Sequence, residues 1–321
     1  MTQVEQARPI VSRDELVERA RQLVPNLRKR QREMDQIGRL PDATVQELAD
    51  AELFQLTTPR IYGGLQVDVR TYMDVVAELG RGDTSTAWTV MIVNGSNWLA
   101  STIFPEETQR EVFSAPGTRV SGVLVPREAK VKRVEGGYLI EEGKWGFNSG
   151  SYHAQWAGLG IPLVNERGEV VDQGFALLPM EDVERLNDWN MIGMQGTGST
   201  SVAVHNKFVP DHRVTSMSKS VHGHYAGTNL QDEVTYRYAF VPFLAIVLVF
   251  PLLGAARAML EMFLEKLPNR GIQYTWYTKQ AEAAVTHLQV AEAATKIDAA
   301  QLLLERAAHD IETWGQRGEF M

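Results

Sequence analysis

Apolar residues recur every three or four positions through the first third of the chain. In the opening segment they are Leu16, Ala20, Leu23, Val24 and Leu27. This spacing places them on one face of an amphipathic helix. A second helix is predicted to start at 41–42, and further helices are predicted over 69–79, 85–104 and 105–113. We therefore expect a helical domain over residues 1–115.

The pattern changes at Pro116. From there to residue 212 the apolar residues alternate with polar ones or form short runs, and glycine-containing turns such as 135–137 and 165–168 separate them. Alternation with a period of two and frequent turn residues are typical of strands. The sequence therefore predicts an antiparallel β-domain over 116–212.

The last third of the chain, 213–321, begins with a polar segment rich in Ser, His and Gly, which we interpret as a loop or lid. Two long helices are predicted after it, over 236–267 and 274–314. The second helix carries a stripe of small apolar residues, which would allow another helix to approach closely within a bundle or between subunits.

The order of helices, sheet and helices predicts an α+β fold, because alternating α/β units would interleave the two kinds of element. No strand-turn-helix segment carries Gly-x-Gly-x-x-Gly. This absence argues against a Rossmann cofactor site.

Composition narrows the possible functions. The chain has 321 residues, a formal net charge of −8 and no cysteine, so disulfides, thiolate metal sites and cysteine nucleophiles are excluded. No run of Lys or Arg indicates a nucleic-acid partner. The N-terminus has no signal-peptide pattern. The apolar stretch 239–256 contains two prolines and is predicted to be a buried helix, not a membrane span. A cytoplasmic protein is expected.

Two clusters in the predicted β-domain, 143–156 and 189–199, combine aromatic residues with turns of Gly, Ser and Thr. Polar groups placed among aromatic side chains suit the face of a flat, polar cofactor. If the fold joins these turns, a cofactor could lie at one edge of the β-domain.

Four segments, in this order along the chain, carry a resemblance to a known family. They are Leu-Thr-Thr-Pro-Arg-Ile-Tyr-Gly-Gly at 56–64, Gly-Asp-Thr-Ser-Thr-Ala-Trp at 82–88, Gly-Tyr with Gly-Lys-Trp-Gly-Phe-Asn-Ser-Gly and a His at 137–153, and Trp with Gly-Met-Gln-Gly-Thr-Gly-Ser and Phe-Val-Pro at 189–210. With these gaps the chain resembles the acyl-CoA dehydrogenase fold. Within that fold it is most similar to the oxygenase components of two-component flavin-dependent monooxygenases, including phenol and secosteroid hydroxylases and amino-sugar N-oxygenases.

The resemblance implies an N-terminal helical domain, a central antiparallel β-domain and a C-terminal bundle of long helices. Relatives usually continue for another helical pair, so the bundle in 213–321 is expected to be incomplete. Many relatives also carry a His in the helix after the Ser-Thr-Ala-Trp segment, where this chain has Ser96. This difference argues against a simple phenol substrate.

The resemblance also implies the chemistry. Reduced flavin (FMNH2 or FADH2) from a separate flavin reductase would react with O2 to form a flavin hydroperoxide, which hydroxylates an aromatic or polyketide-like substrate. Oxidation of an amine nitrogen, as in amino-sugar N-oxygenases, is an alternative. A true acyl-CoA dehydrogenase is another, with Glu261 or Glu265 as the base. A third is a helical assembly protein that does not bind flavin. The long helices predict a homotetramer or homodimer.

Candidate site residues follow from the resemblance and from the chemistry that it implies. The expected flavin-binding residues are Phe147, Asn148, Ser149, Gly150, Thr197, Gly198, Ser199 and Arg270, with Arg270 placed before the last helix to hold the phosphate. The expected catalytic residues are Ser149, as a hydrogen-bond donor, His153, as a proton carrier, and Ser121. The expected substrate wall is Trp88, Asn94, Ser96 and Trp98 on one helix.

Each of these residues also has a purely structural interpretation, as a turn, a core aromatic or a surface cation. Tyr274 is a weaker candidate near the flavin phosphate. His222 and His224 have no third ligand nearby in the sequence, so no metal site is predicted.

Overall fold

A computed structural model describes residues 10–318. The helices that organise it are α1 (Arg13–Ile37), α2 (Asp42–Asp50), α3 (Val69–Gly82), α4 (Thr84–Thr102), α5 (Glu106–Val112), α6 (Met217–Val221), α7 (Phe240–Val247), α8 (Phe250–Lys266) and α9 (Ala284–Arg317). The strands are β1 (Val120–Val123), β2 (Glu128–Val134), β3 (Gly137–Trp145), β4 (Trp156–Val164), β5 (Val170–Pro179), β6 (Glu184–Arg185), β7 (Val202–Pro210) and β8 (Val214–Ser216). The α+β order predicted from the sequence is confirmed.

The N-terminal helices begin at side chains that satisfy their first free N–H groups. Ser12 caps α1, Asp68 caps α3, and Asp83 caps α4 by accepting from the N–H of Thr86 at 2.7 Å. Such caps contribute about 1 kcal/mol each. Asp83 is also the C-terminal cap of α3, so this single residue links α3 to α4.

The β-domain consists of two four-stranded sheets, ordered β1-β4-β5-β8 and β2-β3-β7-β6. The prediction that all strands are antiparallel is wrong at one place, because β1 and β4 pair in parallel, with Val120 opposite Trp156. The reason is the path of the chain. After β1 it crosses to the second sheet for β2 and β3 and returns as β4, which is the crossover that a parallel pair needs.

Two hydrophobic cores result from the alternation of side chains along these strands. Val120 and Leu177 pack with the helices, whereas Trp145, Ala157 and Leu159 pack between the sheets. The indole N–H of Trp145 donates to the carbonyl of Gly160 at 2.7 Å. Trp145 is therefore a packing residue of the inter-sheet core and not a surface on which a ligand could stack.

The C-terminal helices differ from the prediction in their bounds. The predicted helix over 236–267 is divided into α7 and α8 at 248–249, and Pro251 lies in the first turn of α8, where its missing N–H costs nothing. The predicted helix over 274–314 begins only at Ala284. Residues 270–283 form a loop with a short 3-10 turn at Gln280–Glu282.

The polar segment expected to be a lid is packed against the rest of the chain. Its first residues form β8, which extends the first sheet by pairing with β5. Further along, Tyr225 is buried and donates its hydroxyl to the carbonyl of Tyr238 at 2.7 Å. The β-domain thus continues to Ser216, beyond the predicted boundary at 212, and the segment that follows is anchored by its aromatic residues.

Helix α8 packs closely on α3 at two facing glycines. A Cβ on Gly254 would lie 2.1 Å from the carbonyl oxygen of Ala77 and 2.8 Å from the Cα of Gly80.

Within the described residues, 240–269 is one apolar stretch long enough to cross a membrane, and 44% of its most apolar window is buried inside the structure. The contact with α3 accounts for part of the buried face of this stretch.

Candidate flavin and substrate site

The structure brings together the two turns that the sequence interpretation singled out. The N–H of Gly150 donates to the carbonyl of Thr197, and the N–H of Asn148 donates to the carbonyl of Thr200, both at 3.1 Å. These bonds join 147–150 to 197–200 at the end of the β-domain that faces α4. The juxtaposition expected in the sequence analysis is present.

A chain of side-chain hydrogen bonds runs through this junction. The indole N–H of Trp88 on α4 donates to Ser149 Oγ at 3.1 Å. Ser149 Oγ lies 2.6 Å from Ser199 Oγ, which lies 2.6 Å from Thr197 Oγ1. The Thr197 hydroxyl donates to the carbonyl of Met194 at 2.8 Å. We call this chain of bonds the hydroxyl network; its members are Trp88, Ser149, Ser199, Thr197 and the carbonyl of Met194.

Three residues at the junction have backbone φ values in the left-handed region, which residues other than glycine rarely adopt. Gly150 and Gly198 have φ values of +76° and +55°, and Phe147 has φ +64° although it is not a glycine. A bulky residue in the left-handed region is uncommon and marks a functional or strained site. The Phe147 ring is 61% exposed and lies edge-on to Trp189 at 6.0 Å. It therefore presents an apolar surface beside the hydroxyl network.

Asn148 follows Phe147 and is fully buried. Neither its amide oxygen nor its amide nitrogen has a hydrogen-bond partner among the residues that the structure describes. Burying an unpaired amide costs about 1–3 kcal/mol. Such a group is a candidate to meet a polar ligand.

An apolar cavity of about 180 Å³ lies between α4, β1, β5 and α7. Its lining residues are Met91, Ile92, Gly95, Ser96, Leu99, Gly122, Leu124, Phe175, Leu244, Val247 and Leu248. Trp88, Ile92 and Ser96 are four residues apart in sequence and so lie along one side of α4. The hydroxyl network and the cavity are consequently neighbours along this helix.

Ser96 carries the one polar side chain among the lining residues. Its hydroxyl makes no hydrogen bond to another residue in the described part of the chain. A Cβ on Gly122 would lie 3.2 Å from Ser96 Oγ, so the glycine keeps this side of the cavity open. The structure places Ser96 in the lining of the cavity, whereas Trp88, predicted for the same wall, is not among the lining residues and donates instead to Ser149.

Two residues predicted for the same wall belong to the protein core instead. Asn94 is fully buried and donates to the carbonyls of Leu53 and Val90 at 2.8 and 2.9 Å. Trp98 is fully buried, with its ring 4.4 Å from that of Phe243. Each lies two positions along α4 from Ser96, and residues two apart in a helix do not share a face. Both side chains therefore point toward neighbouring chain segments and away from the cavity.

Ser121 also lies away from the cavity. It pairs with Ala157, which belongs to the inter-sheet core, while its neighbour Val120 packs with the helices. Since side chains alternate along a strand, Ser121 points between the sheets. Its hydroxyl is buried with no partner among residues 10–318. The structure therefore gives no support to contact between Ser121 and the substrate.

His153 follows the 147–150 turn in a short 3-10 helix, and its N–H donates to the carbonyl of Gly150 at 2.9 Å. Burial, together with the positive charges of Arg39 and Arg119, lowers the pKa of His153 to about 4. Arg119 donates its Nε–H to the carbonyl of His153 at 2.5 Å. The imidazole stays neutral near pH 7, so the prediction that His153 carries protons in the reaction is not supported.

Arg270 is exposed in the loop 270–283, and α9 begins only at Ala284. The prediction that Arg270 adjoins a helix N-terminus is wrong, because the loop is longer than the pattern suggested. Arg270 lies with Gly271, Ile272, Gln273 and Gln280 around an open polar depression. Tyr274, in the same loop, is fully exposed.

Glu261, considered as a dehydrogenase base, is held in an ion-pair network. It accepts from Arg28 at 3.0 Å and from Arg81 at 2.7 Å. Burial would raise the pKa of Glu261, but the two guanidinium groups outweigh it and lower the pKa. Glu265, the other candidate, is exposed.

No metal site is present among the described residues, where no three His, Asp or Glu side chains cluster. His222 instead pairs through Nδ1 with the carbonyl of Ser218 at 2.7 Å.

Sequence reasoning missed the cavity residues Ile92, Gly122 and Phe175. Ile92 could have been found, because it lies midway between Trp88 and Ser96 at helical spacing. Gly122 and Phe175 come from strands distant in sequence, and their meeting depends on the register of β1, β4 and β5.

Comparison with known proteins agrees with this architecture. Residues 12–116 match the acyl-CoA dehydrogenase N-terminal domain, and residues 246–320 match the acyl-CoA dehydrogenase C-terminal domain. A pigment production hydroxylase of Rhodococcus sp. (strain ATCC 21145) is 31% identical over 297 residues, which are 92% of this chain and 75% of the relative. The flavin-dependent monooxygenase oxygenase subunit HsaA of Mycobacterium tuberculosis is 33% identical over 280 residues, 87% of this chain and 70% of HsaA.

Solved structures are similar over nearly the whole chain. XiaF from Streptomyces sp., in complex with FADH2 and glycerol, superposes with a TM-score of 0.88 at 34% identity, covering 96% of this chain and 77% of XiaF. The 3-HSA hydroxylase from Rhodococcus sp. RHA1 gives a TM-score of 0.89 at 29% identity, covering 97% of this chain and 79% of the hydroxylase. The chain therefore belongs to the flavin-dependent monooxygenases of the acyl-CoA dehydrogenase family, oxidoreductases that use reduced flavin and O2.

Proposed function

We propose that this chain is an oxygenase component that hydroxylates a neutral, single-ring aromatic or similarly flat substrate, with reduced flavin from a separate reductase. The observation that carries the proposal is the position of the apolar cavity next to the hydroxyl network on α4. A polar, partly exposed junction for the flavin and a dry cavity for the substrate are the two parts that such a reaction needs.

The residues of the junction fit a flavin. The Ser149 hydroxyl belongs to the hydroxyl network, the Asn148 amide has no hydrogen-bond partner among residues 10–318, and the Phe147 ring is exposed beside them. We infer that 147–150 and 197–199 hold the flavin ring. Bound reduced flavin would supply the electrons that activate O2, while the protein supplies binding, orientation and exclusion of water.

The lining of the cavity favours a neutral ring. It contains one hydroxyl, that of Ser96, and its other side chains are apolar or absent. Without a charged partner, an ionised substrate would be costly to bury. A dry cavity of about 150 Å³ holds a benzene ring, so a cavity of about 180 Å³ suits one ring with a small substituent. We assign Ser96 to bind a polar substituent of this ring.

The lining of the cavity and the ion pairs of Glu261 argue against the two enzyme alternatives. An amine substrate would need an acidic side chain to hold its cation, and none lines the cavity. A dehydrogenase base must be free to accept a proton, whereas Glu261 is occupied by Arg28 and Arg81.

The test combines anaerobic binding with product analysis. The protein is titrated with photoreduced FMN or FAD, then mixed with O2 and a panel of neutral aromatics, carboxylated aromatics, primary amines and acyl-CoA thioesters. We expect saturable binding of reduced flavin and a product one oxygen atom heavier from the neutral aromatics. Oxygen transfer to amines alone, or bleaching of oxidised flavin by an acyl-CoA, would contradict the proposal.

We further infer a cytoplasmic homodimer or homotetramer. Large apolar side chains of α8 and α9 are exposed in the single chain, namely Leu252, Met259, Leu288, Leu302 and Leu303. An apolar surface of this extent is typical of an interface. Light scattering at micromolar concentration should give at least twice the mass of one chain, and a monomer would contradict this inference.

A further inference from the structure

The apolar cavity beside α4 has one lining residue that contains sulfur. Met91 lines the cavity, and none of the other lining residues is a methionine. The chain has no cysteine, so thioethers are its only sulfur groups. A thioether accepts one oxygen atom and becomes a sulfoxide. The cavity proposed for the substrate therefore contains a second group that can receive oxygen.

Met91 lies close to the hydroxyl network and borders free space. It follows Trp88 by three residues, which is about 4.5 Å along the axis of α4, and Trp88 donates to Ser149 in that network. Gly95 follows Met91 by four residues, so both lie on the same side of the helix. A Cβ on Gly95 would have no heavy atom of residues 10–318 within 4 Å. A reactant in the cavity can therefore approach this side of α4.

The same residue is held in place and is shielded from solution. Tyr72 donates its hydroxyl to the carbonyl oxygen of Met91 at 2.5 Å, which ties this turn of α4 to α3. Met91 is 1% exposed, so oxidants that diffuse in bulk water have little access to its thioether. An oxygen atom that reaches Met91 has to come from a reaction in or beside the cavity.

We propose that Met91 is a modification site that accepts the oxygen atom when no substrate is bound, and that the resulting sulfoxide prevents neutral rings from binding. The inference rests on the proposed function. The sulfur lone pair takes up one atom of O2, and the O–O bond breaks. The other atom leaves as water with the two hydrogens of the reduced flavin. Reduced flavin, O2 and thioether thus give oxidised flavin, water and sulfoxide.

A sulfoxide at Met91 would make the apolar cavity polar. Its oxygen accepts hydrogen bonds, and Ser96 carries the only hydroxyl among the lining residues. A neutral ring cannot satisfy a buried polar oxygen, so its binding would be penalised. Enzyme that consumes reduced flavin without substrate should therefore lose its hydroxylation activity as Met91 becomes oxidised.

The experiment is peptide mass spectrometry of the wild-type protein after repeated additions of photoreduced FMN or FAD under isotopically labelled O2, without substrate. It is carried out with and without catalase, which removes hydrogen peroxide from solution. Met73 is the matched control, because it is fully buried in α3 but does not line the cavity. Met259, which is 69% exposed on α8, reports oxidants that diffuse in solution.

We expect labelled oxygen on Met91 in about tenfold excess or more over Met73, because oxidation requires access to the oxidant and only Met91 lines the cavity. Catalase should protect Met259 and leave the oxidation of Met91 unchanged. Benzyl alcohol at saturating concentration should protect Met91 by filling the cavity. The inference would be overturned if catalase abolished the label on Met91, or if the label were found on the ring of Phe175 in its place.

A second measurement follows activity. Met91→Leu replaces the thioether by an apolar side chain of similar volume, so this variant should keep its own starting turnover after cycling without substrate. The wild type should lose turnover in proportion to the oxidised fraction of Met91, and Met73→Leu should decline like the wild type.

Two negative results are distinguishable. An unlabelled Met91 in a protein that hydroxylates added neutral aromatics would overturn this inference alone. A protein that neither binds reduced flavin nor transfers oxygen to any added ring would overturn the proposed function with it.

Discussion

The indole nitrogen of Trp88 lies 3.1 Å from Ser149 Oγ, and this hydrogen bond connects α4 to the turn at the end of β3. It spans the boundary between the helical domain and the β-domain. Trp88 is thus placed where the two domains meet, next to Thr89, whose methyl group would lie 3.3 Å from a Cβ on Gly150.

Trp88→Phe should weaken this connection while a smaller aromatic ring fills most of the space. The indole N–H that donates to Ser149 is lost. We expect a loss of stability of about 0.5–1.5 kcal/mol, measured by urea unfolding, and weaker binding of reduced flavin in the same samples. A matched control is Trp276→Phe, since Trp276 is 84% exposed in the 270–283 loop. Equal effects of the two substitutions would contradict the role of Trp88.

Gly95→Ala should raise the stability of the protein and at the same time lower the turnover of large substrates. Gly95 lies inside α4, and a Cβ there would have no heavy atom within 4 Å. Replacing a helical glycine by alanine should stabilise the protein by about 0.5–1 kcal/mol. The new methyl group enters the cavity, so turnover of the largest accepted ring should fall several-fold while the smallest is unaffected. A uniform loss across ring sizes would argue that the cavity does not hold the substrate.

Gly254→Ala should have the opposite effect on stability. Its Cβ would lie 2.1 Å from the carbonyl oxygen of Ala77, so α8 would have to move away from α3. We expect a net loss of about 1–3 kcal/mol, despite the better helix propensity of alanine. Urea unfolding of this variant beside Gly95→Ala provides the comparison, since both are glycine-to-alanine changes in a helix. A stabilised Gly254→Ala protein would mean that α3 and α8 do not pack as described.

His153 should make folding stability depend on pH between 4 and 6.5. Its pKa falls to about 4 in the folded chain and is near 6.5 when unfolded. In this window the unfolded chain binds a proton that the folded chain does not, so stability is complete above pH 6.5 and is lost as pH falls toward 4. From pH 7 to pH 5 the loss should be about 2 kcal/mol.

The measurement for His153 is urea unfolding at several pH values in the wild-type protein and in His153→Gln. The variant should lack this part of the pH dependence. As a control, His287→Gln changes an exposed imidazole on α9 and should keep the wild-type slope. Identical slopes in His153→Gln and the wild type would show that the imidazole is not buried.

Glu261→Gln should leave oxygenase turnover intact. Glu261 joins α8 to α1 and α3 through Arg28 and Arg81, and the pair is partly exposed, so the expected loss of stability is at most about 1 kcal/mol. Glu265→Gln, one turn later on the same helix and exposed, is the control. A large loss of turnover with Glu261→Gln alone would show that Glu261 takes part in the reaction and is more than a link between helices.

Local signals in the sequence were sufficient for much of the architecture. The helical spacing from Leu16 to Leu27 and the alternation after Pro116 act over a few residues. Such short-range chemistry determines where a helix or strand begins. The turns 147–150 and 197–200 were recognisable for the same reason, since their glycines and hydroxyls stand out from the strands around them.

The tertiary structure decided what no local pattern contains. The parallel pairing of β1 with β4 turned Ser121 toward the inter-sheet core and Gly122 toward Ser96. A shift of two residues on α4 separated Asn94 and Trp98, in the core, from Ile92 and Ser96, in the cavity. The low pKa of His153 depends on its burial and then on Arg39 and Arg119, which are distant in sequence. Side-chain direction, burial and the pKa of a buried group depend on contacts between distant segments, so they are set only once the chain has folded.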